Sequence, residues 1–295
     1  MVDRVGFIGL GVMGAPMARR VSSRHDMIVF DIDNAKMQGV AGLKKARDVA
    51  AVSRSARTVL LSLPGSVVVR EVILGSNGLM QNMERGSIII DTSTTEPGVS
   101  QEIARTLATK GISLLDAPVS GGERGAIDGV LSIMVGGDEA IFKQCLEILN
   151  TMGTSIVRVG ENGMGQVAKL VNNLIVGVTF AAISEGFSLG TKSGLNPKIL
   201  YEAIRNGWAG SKVLDVSVPA MLERNFKPGG TINIHWKDLG YALSLAEEQG
   251  VPVPVTSLTH EIFKAARASG RGSLSQPAIV NLWEDLLGIE VSESK

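Results

Sequence analysis

The stretch Val5-Gly6-Phe7-Ile8-Gly9-Leu10-Gly11-Val12-Met13-Gly14 joins a strand-like apolar run to a glycine pattern that opens a helix. A strand ending in G-x-G-x-x-G is built to hold a pyrophosphate. The first Gly permits the tight turn, the second lets backbone approach the phosphates, and the third lets helix and strand pack closely, while the helix N-terminus supplies N–H donors. Gly9, Leu10, Gly11, Val12 and Met13 are therefore candidate cofactor-binding residues. A second apolar run, Met27 to Phe30, ends in Asp31, near the spacing of about 20 residues at which a carboxylate reaches the adenosine ribose. Such a carboxylate accepts hydrogen bonds from the ribose hydroxyls and repels a 2′-phosphate, which favours NAD and disfavours NADP. The plainer alternative is an ordinary glycine turn, with Asp31 capping nearby backbone.

Working outward, Thr58 to Leu63, Ser87 to Asp91, Ser113 to Asp116, Leu131 to Val135 and Ser155 to Val159 repeat the short apolar run, separated by crossover-length helical stretches. That rhythm predicts an α/β Rossmann-type domain, a doubly wound parallel sheet with helices on both faces. Beyond Gly165 the apolar residues recur at three- and four-residue intervals, predicting helices from Gln166 to about Lys192, Asn196 to Asn206 and Lys237 to Glu248. Gly250-Val251-Pro252-Val253-Pro254 breaks the chain before another helix, and Pro197 suits a first helical turn. The expected division is an NAD-binding domain over residues 1–163 and an all-α domain over 164–295, beginning with the long helix.

Lysine plus arginine equals aspartate plus glutamate at 29 each, so no net positive field points to nucleic acid or an anionic membrane. A small-molecule partner is expected. The single Cys145 forms no intramolecular disulfide and fits a reducing compartment. No basic segment followed by a long apolar one opens the chain, so a cytoplasmic protein is expected. Leu170 to Ile183, interrupted by Asn172 and Asn173, reads as a buried helix too short to span a bilayer. His25, His235 and His260 lack metal-ligand spacing, and no metal is expected. Trp208 and Trp283 read as core residues.

In open α/β sheets ligands bind beyond the carboxyl ends of the strands. Leu63 and Pro64 follow the third strand and can pass along the cofactor; Thr94 follows the fourth, where it faces a ribose or caps a helix. After the fifth comes Asp116-Ala117-Pro118-Val119-Ser120-Gly121-Gly122. Ser120, Gly121 and Gly122 either converge their N–H groups on a carboxylate or form a plain tight turn. On the long helix Lys169 and Asn173 stand four apart and share a face. Hydride transfer at an alcohol needs one group to move the hydroxyl proton and donors that polarise the carbonyl, and this pair offers both. Alternatively Lys169 snorkels to solvent and Asn173 satisfies a loop. Lys237-Asp238, read as opening a helix, either points at the site or forms a surface ion pair.

Phe7 to Ala18 resembles the N-terminal signature of the β-hydroxyacid dehydrogenases, and three further blocks match that family in order: Asp116 to Gly122, Gly163 to Asn173, and Lys237-Asp238-Leu239. The resemblance implies a Rossmann domain, a long helix joining it to an all-helical domain, and assembly as a homodimer or homotetramer. It assigns Lys169 as general acid and base and Asn173 as the residue holding substrate near it. It also implies that Ser120, Gly121 and Gly122 bind a small carboxylate substrate, that Thr94 and Lys237 contact NAD, and that Asp238 lies close to the substrate. Two departures stand out: Gly230, where many relatives carry an aromatic residue, and Asn172, where phosphogluconate-oxidising relatives have a histidine. A non-catalytic dinucleotide-binding module is the alternative of another class; the retained Lys169 and Asn173 argue against it.

Overall fold

A computed structural model describes residues 4–227 and 229–293; Pro228, two positions before the departure at Gly230, lies outside them. The chain divides into two compact units, Met1–Lys169 and Leu170–Lys295.

The first unit is built on one nine-stranded sheet: β1 (Val5–Ile8), β2 (Met27–Phe30), β3 (Lys44–Lys45), β4 (Thr58–Leu61), β5 (Ile88–Asp91), β6 (Ser113–Asp116), β7 (Val119–Ser120), β8 (Leu131–Gly136) and β9 (Gly153–Gly160). The order is β3-β2-β1-β4-β5-β6-β8-β7, with β9 beside β8. The strand order turns back at β1, running outward to β2 and β3 on one side and to β4, β5 and β6 on the other, which places the turn after β1 and the loops after β4 to β6 at the carboxyl edge where such sheets bind ligands. The first six strands are parallel, as their unbroken apolar runs require. Alternate side chains serve opposite faces: Phe7, Val29, Leu60, Ile90 and Leu115 pack on one, Ile8, Ile28, Val59, Ile89 and Leu114 on the other. Each fully buried one stabilises the fold by about 1.5–3 kcal/mol before entropy is counted.

The sheet differs from the parallel expectation at its far side, where β8 runs antiparallel to β6 and β7. The two-residue strands β3 and β7 escape the sequence reading because two residues carry no periodicity. The exposed Lys44 and Lys45 on β3 suit an edge strand.

The second unit is helical. The helix Met164–Lys192 enters it from the first, and Pro197–Ile204, Lys212–Leu222, Ile232–Glu248, Pro254–Ala266 and Asn281–Leu287 follow. Pro197 and Pro254 each occupy a first helical turn. Lys212–Leu222 has no counterpart in the expected set, because Pro219 sits inside it and reads as a breaker. The helix expected to open at Lys237 begins at Ile232, capped by the Thr231 hydroxyl, which accepts from the Ile234 N–H. Lys237 and Asp238 therefore lie in its second turn.

Met164–Lys192 has a mean hydropathy of 1.6 in its most apolar window and, at 29 residues, could cross a bilayer by length and composition alone. The shorter estimate for Leu170 to Ile183 is corrected accordingly. Its Phe180, Ala181, Ile183 and Phe187 are nonetheless buried among the other helices of the second unit, the packing of a core helix. Trp283 joins that core. Trp208, expected there too, is fully exposed.

Candidate functional site

The glycine turn has the geometry its spacing predicts. Gly9 has φ +95°, and a Cβ there would collide with the Ser62 carbonyl oxygen; a Cβ at Gly14 would collide with the Gly9 carbonyl oxygen. A Cβ at Gly11 would meet nothing within 4 Å, so this position opens onto free space. No side chain caps the helix Gly14–Ser22 that follows. A cavity of about 390 Å³ lies against the turn, lined by Leu10, Gly11 and Val12 with Arg19, Lys36 and Glu123 among its other walls. The open Gly11 and the uncapped helix start fit a dinucleotide pyrophosphate.

Asp31 is buried and already engaged: its Oδ2 accepts from the Leu10 N–H at 2.7 Å and its Oδ1 from the Asp33 N–H at 2.8 Å. The carboxylate thus fixes the glycine turn. Each oxygen keeps a second lone pair that a ribose hydroxyl can use.

The loops after β4, β5 and β6 are tied to one another. Leu63 donates its N–H to Ser93 Oγ at 2.9 Å, and the Ser93 N–H donates to Asp91 Oδ1 at 3.0 Å. Pro64 is exposed beside Leu63. Thr94 is half-buried, and the helix Pro97–Ala108 starts after Glu96, so Thr94 is not its cap. Ser120 ends β7, and Gly121 and Gly122 follow it exposed, with φ +138° and +64°. Both glycines are required by the turn itself.

Asp116 points inward. Its Oδ1 accepts from the Gly163 N–H at 2.8 Å and its Oδ2 from the Gln166 N–H at 3.1 Å, which caps the start of the long helix. Gly165 has no side chain because a Cβ there would collide with the Asp116 carbonyl oxygen. Burial pushes the Asp116 carboxyl up to about 6, against the opposing pull of the Gly163 and Gln166 N–H groups.

Lys169 and Asn173 are both buried, which rules out the snorkelling alternative for Lys169. The Asn173 amide is held at both ends: Nδ2 donates to Asp238 Oδ2 at 2.7 Å, and Oδ1 accepts from Asn172 Nδ2 at 2.9 Å. Asp238 is itself buried, so Lys237-Asp238 is no surface pair. Lys237 Nζ stands 3.1 Å from Asp238 Oδ1 as an ion pair, outside hydrogen-bond alignment. At Gly230 the room for a side chain is taken by Gln276, whose amide a Cβ would meet.

The structure thus gathers Asn173, Lys237 and Asp238 in one unit, and Leu63, Thr94 and the foot of the long helix in the other. Gln166, Asn172 and Gln276 received no role from sequence. Gln166 lies in the block matched to the family, but a glutamine on a helix carries no signal until its partners are known.

Residues 4–160 match the family described as the NAD binding domain of 6-phosphogluconate dehydrogenase, and residues 163–283 match the NAD-binding region of NADP-dependent 3-hydroxyisobutyrate dehydrogenase. The two together define an NAD(P)-dependent oxidoreductase of hydroxyacids. The chain is 37% identical to 2-hydroxy-3-oxopropionate reductase of Escherichia coli, over 95% of this chain and 97% of that protein. It is 34% identical to 2-(hydroxymethyl)glutarate dehydrogenase of Eubacterium barkeri, over 98% and 97%. Among solved structures it resembles Mycobacterium tuberculosis 3-hydroxyisobutyrate dehydrogenase with L-serine, at a TM-score of 0.86 and 30% identity over 96% of this chain and 99% of that one. The chain belongs to the β-hydroxyacid dehydrogenase family.

Proposed function

We propose that this protein reduces tartronate semialdehyde (2-hydroxy-3-oxopropanoate) to D-glycerate, with NADH preferred over NADPH. The observation that carries the chemistry is the burial of Lys169 on the same helix face as Asn173, whose amide is oriented by Asp238. The substrate choice is supported by the stretches 116–137 and 201–229, which resemble tartronate semialdehyde reductases, and by the 37% identity to the E. coli reductase of that compound.

A bound nicotinamide supplies the hydride. Lys169, as an ammonium, gives its proton to the alkoxide oxygen formed when the aldehyde carbon accepts that hydride; in reverse, the neutral amine takes the proton from the alcohol. Asn173 holds the substrate beside it. Ser120, Gly121 and Gly122 bind the carboxylate through N–H and hydroxyl donors. Thr94 and Lys237 contact the cofactor, and Asp31 takes the ribose hydroxyls and turns away a 2′-phosphate. The protein acts in the cytoplasm as a homodimer or homotetramer.

Dehydrogenation of 3-hydroxyisobutyrate or 4-hydroxybutyrate, or reduction of sulfolactaldehyde, is the alternative, since the aldehyde form in each case pairs an anionic group with a nearby carbonyl in the same way. The test is NADH oxidation by the purified protein with tartronate, methylmalonate and succinate semialdehydes and sulfolactaldehyde, beside 2-(hydroxymethyl)glutarate with NAD in the oxidative direction. The expected result is the highest kcat/KM on tartronate semialdehyde. A higher value on another compound replaces the substrate and points to the neighbourhood of Gly230 and Gln276; no turnover of any compound favours the binding-module alternative.

A further inference from the structure

Gln166 is fully buried, and its carboxamide grips the backbone on both sides of Thr94. Oε1 accepts from the Thr95 N–H at 3.0 Å, while Nε2 donates to the Ser93 carbonyl oxygen at 2.9 Å. The same residue's N–H is held by Asp116 Oδ2. One residue therefore ties the first turn of the long helix, three residues before Lys169, to the loop after β5 through its side chain and to the end of β6 through its N–H.

The loop has little freedom left. Ser93 is bound through its N–H by Asp91, through its carbonyl by Gln166 and through its hydroxyl by the Leu63 N–H. Thr94 is half-exposed between two pinned peptide groups, while Ser93 and Thr95 on either side of it are buried. Buried main-chain groups need partners, but a helix cap or a second turn would satisfy that need without fixing the loop to the helix. A primary carboxamide presents an acceptor and a donor side by side in a single plane, which matches the Thr95 N–H and the Ser93 carbonyl oxygen. Glutamate lacks the donor, and methionine, of similar length, lacks both.

We propose that Gln166 is a positioning residue for the reaction: it sets Thr94 against the dinucleotide and fixes the Thr94 loop in register with the helical turn that carries Lys169. This rests on the reading that Thr94 contacts the cofactor. A merely structural glutamine would cost stability when replaced and leave affinity alone; a positioning one costs affinity beyond its effect on stability.

The experiment is a fluorescence titration with whichever of NADH and NADPH the unmodified protein binds more tightly, with Tm recorded for each variant. The variants are Gln166→Met, Gln166→Glu, Thr94→Val and, as a control, Ser100→Ala. Ser100→Ala removes the buried Thr95 Oγ1–Ser100 Oγ hydrogen bond of 3.0 Å, which ties the same loop to the helix Pro97–Ala108, without touching the carboxamide. Both Gln166 variants and Thr94→Val are expected to raise Kd about tenfold, the effect of one well-placed hydrogen bond, while Ser100→Ala lowers Tm and leaves Kd within about twofold. Should Gln166→Met fail to fold, Gln166→Glu, which keeps the volume and the Thr95 acceptor, is read alone. Weaker binding by Thr94→Val with unchanged binding by the Gln166 variants overturns the role of Gln166 and leaves Thr94 in place. Unchanged binding by all of them overturns both. Weakening in Ser100→Ala that tracks its loss of Tm as it does in the Gln166 variants overturns positioning in favour of plain stabilisation.

Discussion

Asp31 holds the glycine turn, and the selectivity we propose for it rests on the same side chain. Its two oxygens hold the Leu10 and Asp33 N–H groups, so replacing it disturbs the glycine turn as well as the charge near the ribose. Asp31→Ser is expected to raise the ratio of kcat/KM with NADPH to that with NADH by about tenfold or more, with some loss of overall activity from the loosened turn. A wild-type protein that already prefers NADPH refutes this account. Lys169→Ala removes the proposed proton donor and should lower kcat by roughly 10²–10⁴-fold, with the Kd for NADH nearly unchanged in a binding titration. Asp238 acts one step removed: without it the Asn173 amide loses the acceptor of its 2.7 Å hydrogen bond, and a buried donor left unmatched costs about 1–3 kcal/mol. Asp238→Ala should therefore show both a lower Tm and a lower kcat, whereas Asp238→Asn, which keeps an oxygen for Asn173, should recover most of the Tm.

Among the elements, the helix Met164–Lys192 is fastened at its foot. A carboxylate at a helix N-terminus is favoured by the free N–H groups and the macrodipole, yet Asp116 is buried deeply enough that ionisation is resisted and its carboxyl sits at about 6. The folded-state value lies above the unfolded one of about 3.9, so the stability tied to the protonated form is complete below about pH 4 and is lost as pH rises through 6. About two pKa units correspond to roughly 3 kcal/mol. The stability of the wild type relative to Asp116→Asn, which does not titrate, should fall by roughly that amount between pH 4 and pH 7 in denaturant unfolding. A pH-independent difference would show that the helix N–H groups offset burial fully.

Over the whole molecule, the second unit leaves an apolar stripe uncovered on its longest helix. Val171, Ile175 and Leu189 are all at least half exposed, and their spacing keeps them along one side of the helix. Ile199 and the fully exposed Trp208 add further uncovered apolar surface in the same unit. A second copy of the chain is the occupant we propose, and light scattering after gel filtration should give a mass of two or four times 31.1 kDa. Ile175→Glu with Leu189→Glu places charges in that stripe and should shift the mass toward the monomer with helicity retained by circular dichroism. A wild-type protein that runs as a monomer removes this proposal without touching the chemistry.

The longer parallel strands, the glycine turn, the acid after β2 and the helical second half are legible in the sequence because each rests on local rules: apolar period, backbone permissiveness at Gly, chain length between strands. Lys169, Asn173, Ser120, Thr94 and Asp238 stand out as candidates from short local blocks taken together with the family resemblance, which is what gives them roles. Partnership was not legible. Asp116 reads as the end of a strand opening a ligand-side loop and turns inward to cap a helix that starts nearly fifty positions later; Gln166 has no distinguishing neighbour until it meets Ser93 and Thr95; Lys237-Asp238 reads equally as a surface pair until Asn173 claims the carboxylate. The reversal of β8 and the exposure of Trp208 were equally out of reach. Local sequence determined which backbone forms and which chemistry is present. Tertiary structure alone decided which polar groups are taken out of water and whom they must then bond, because desolvation makes an unpartnered group costly only once the chain has closed around it.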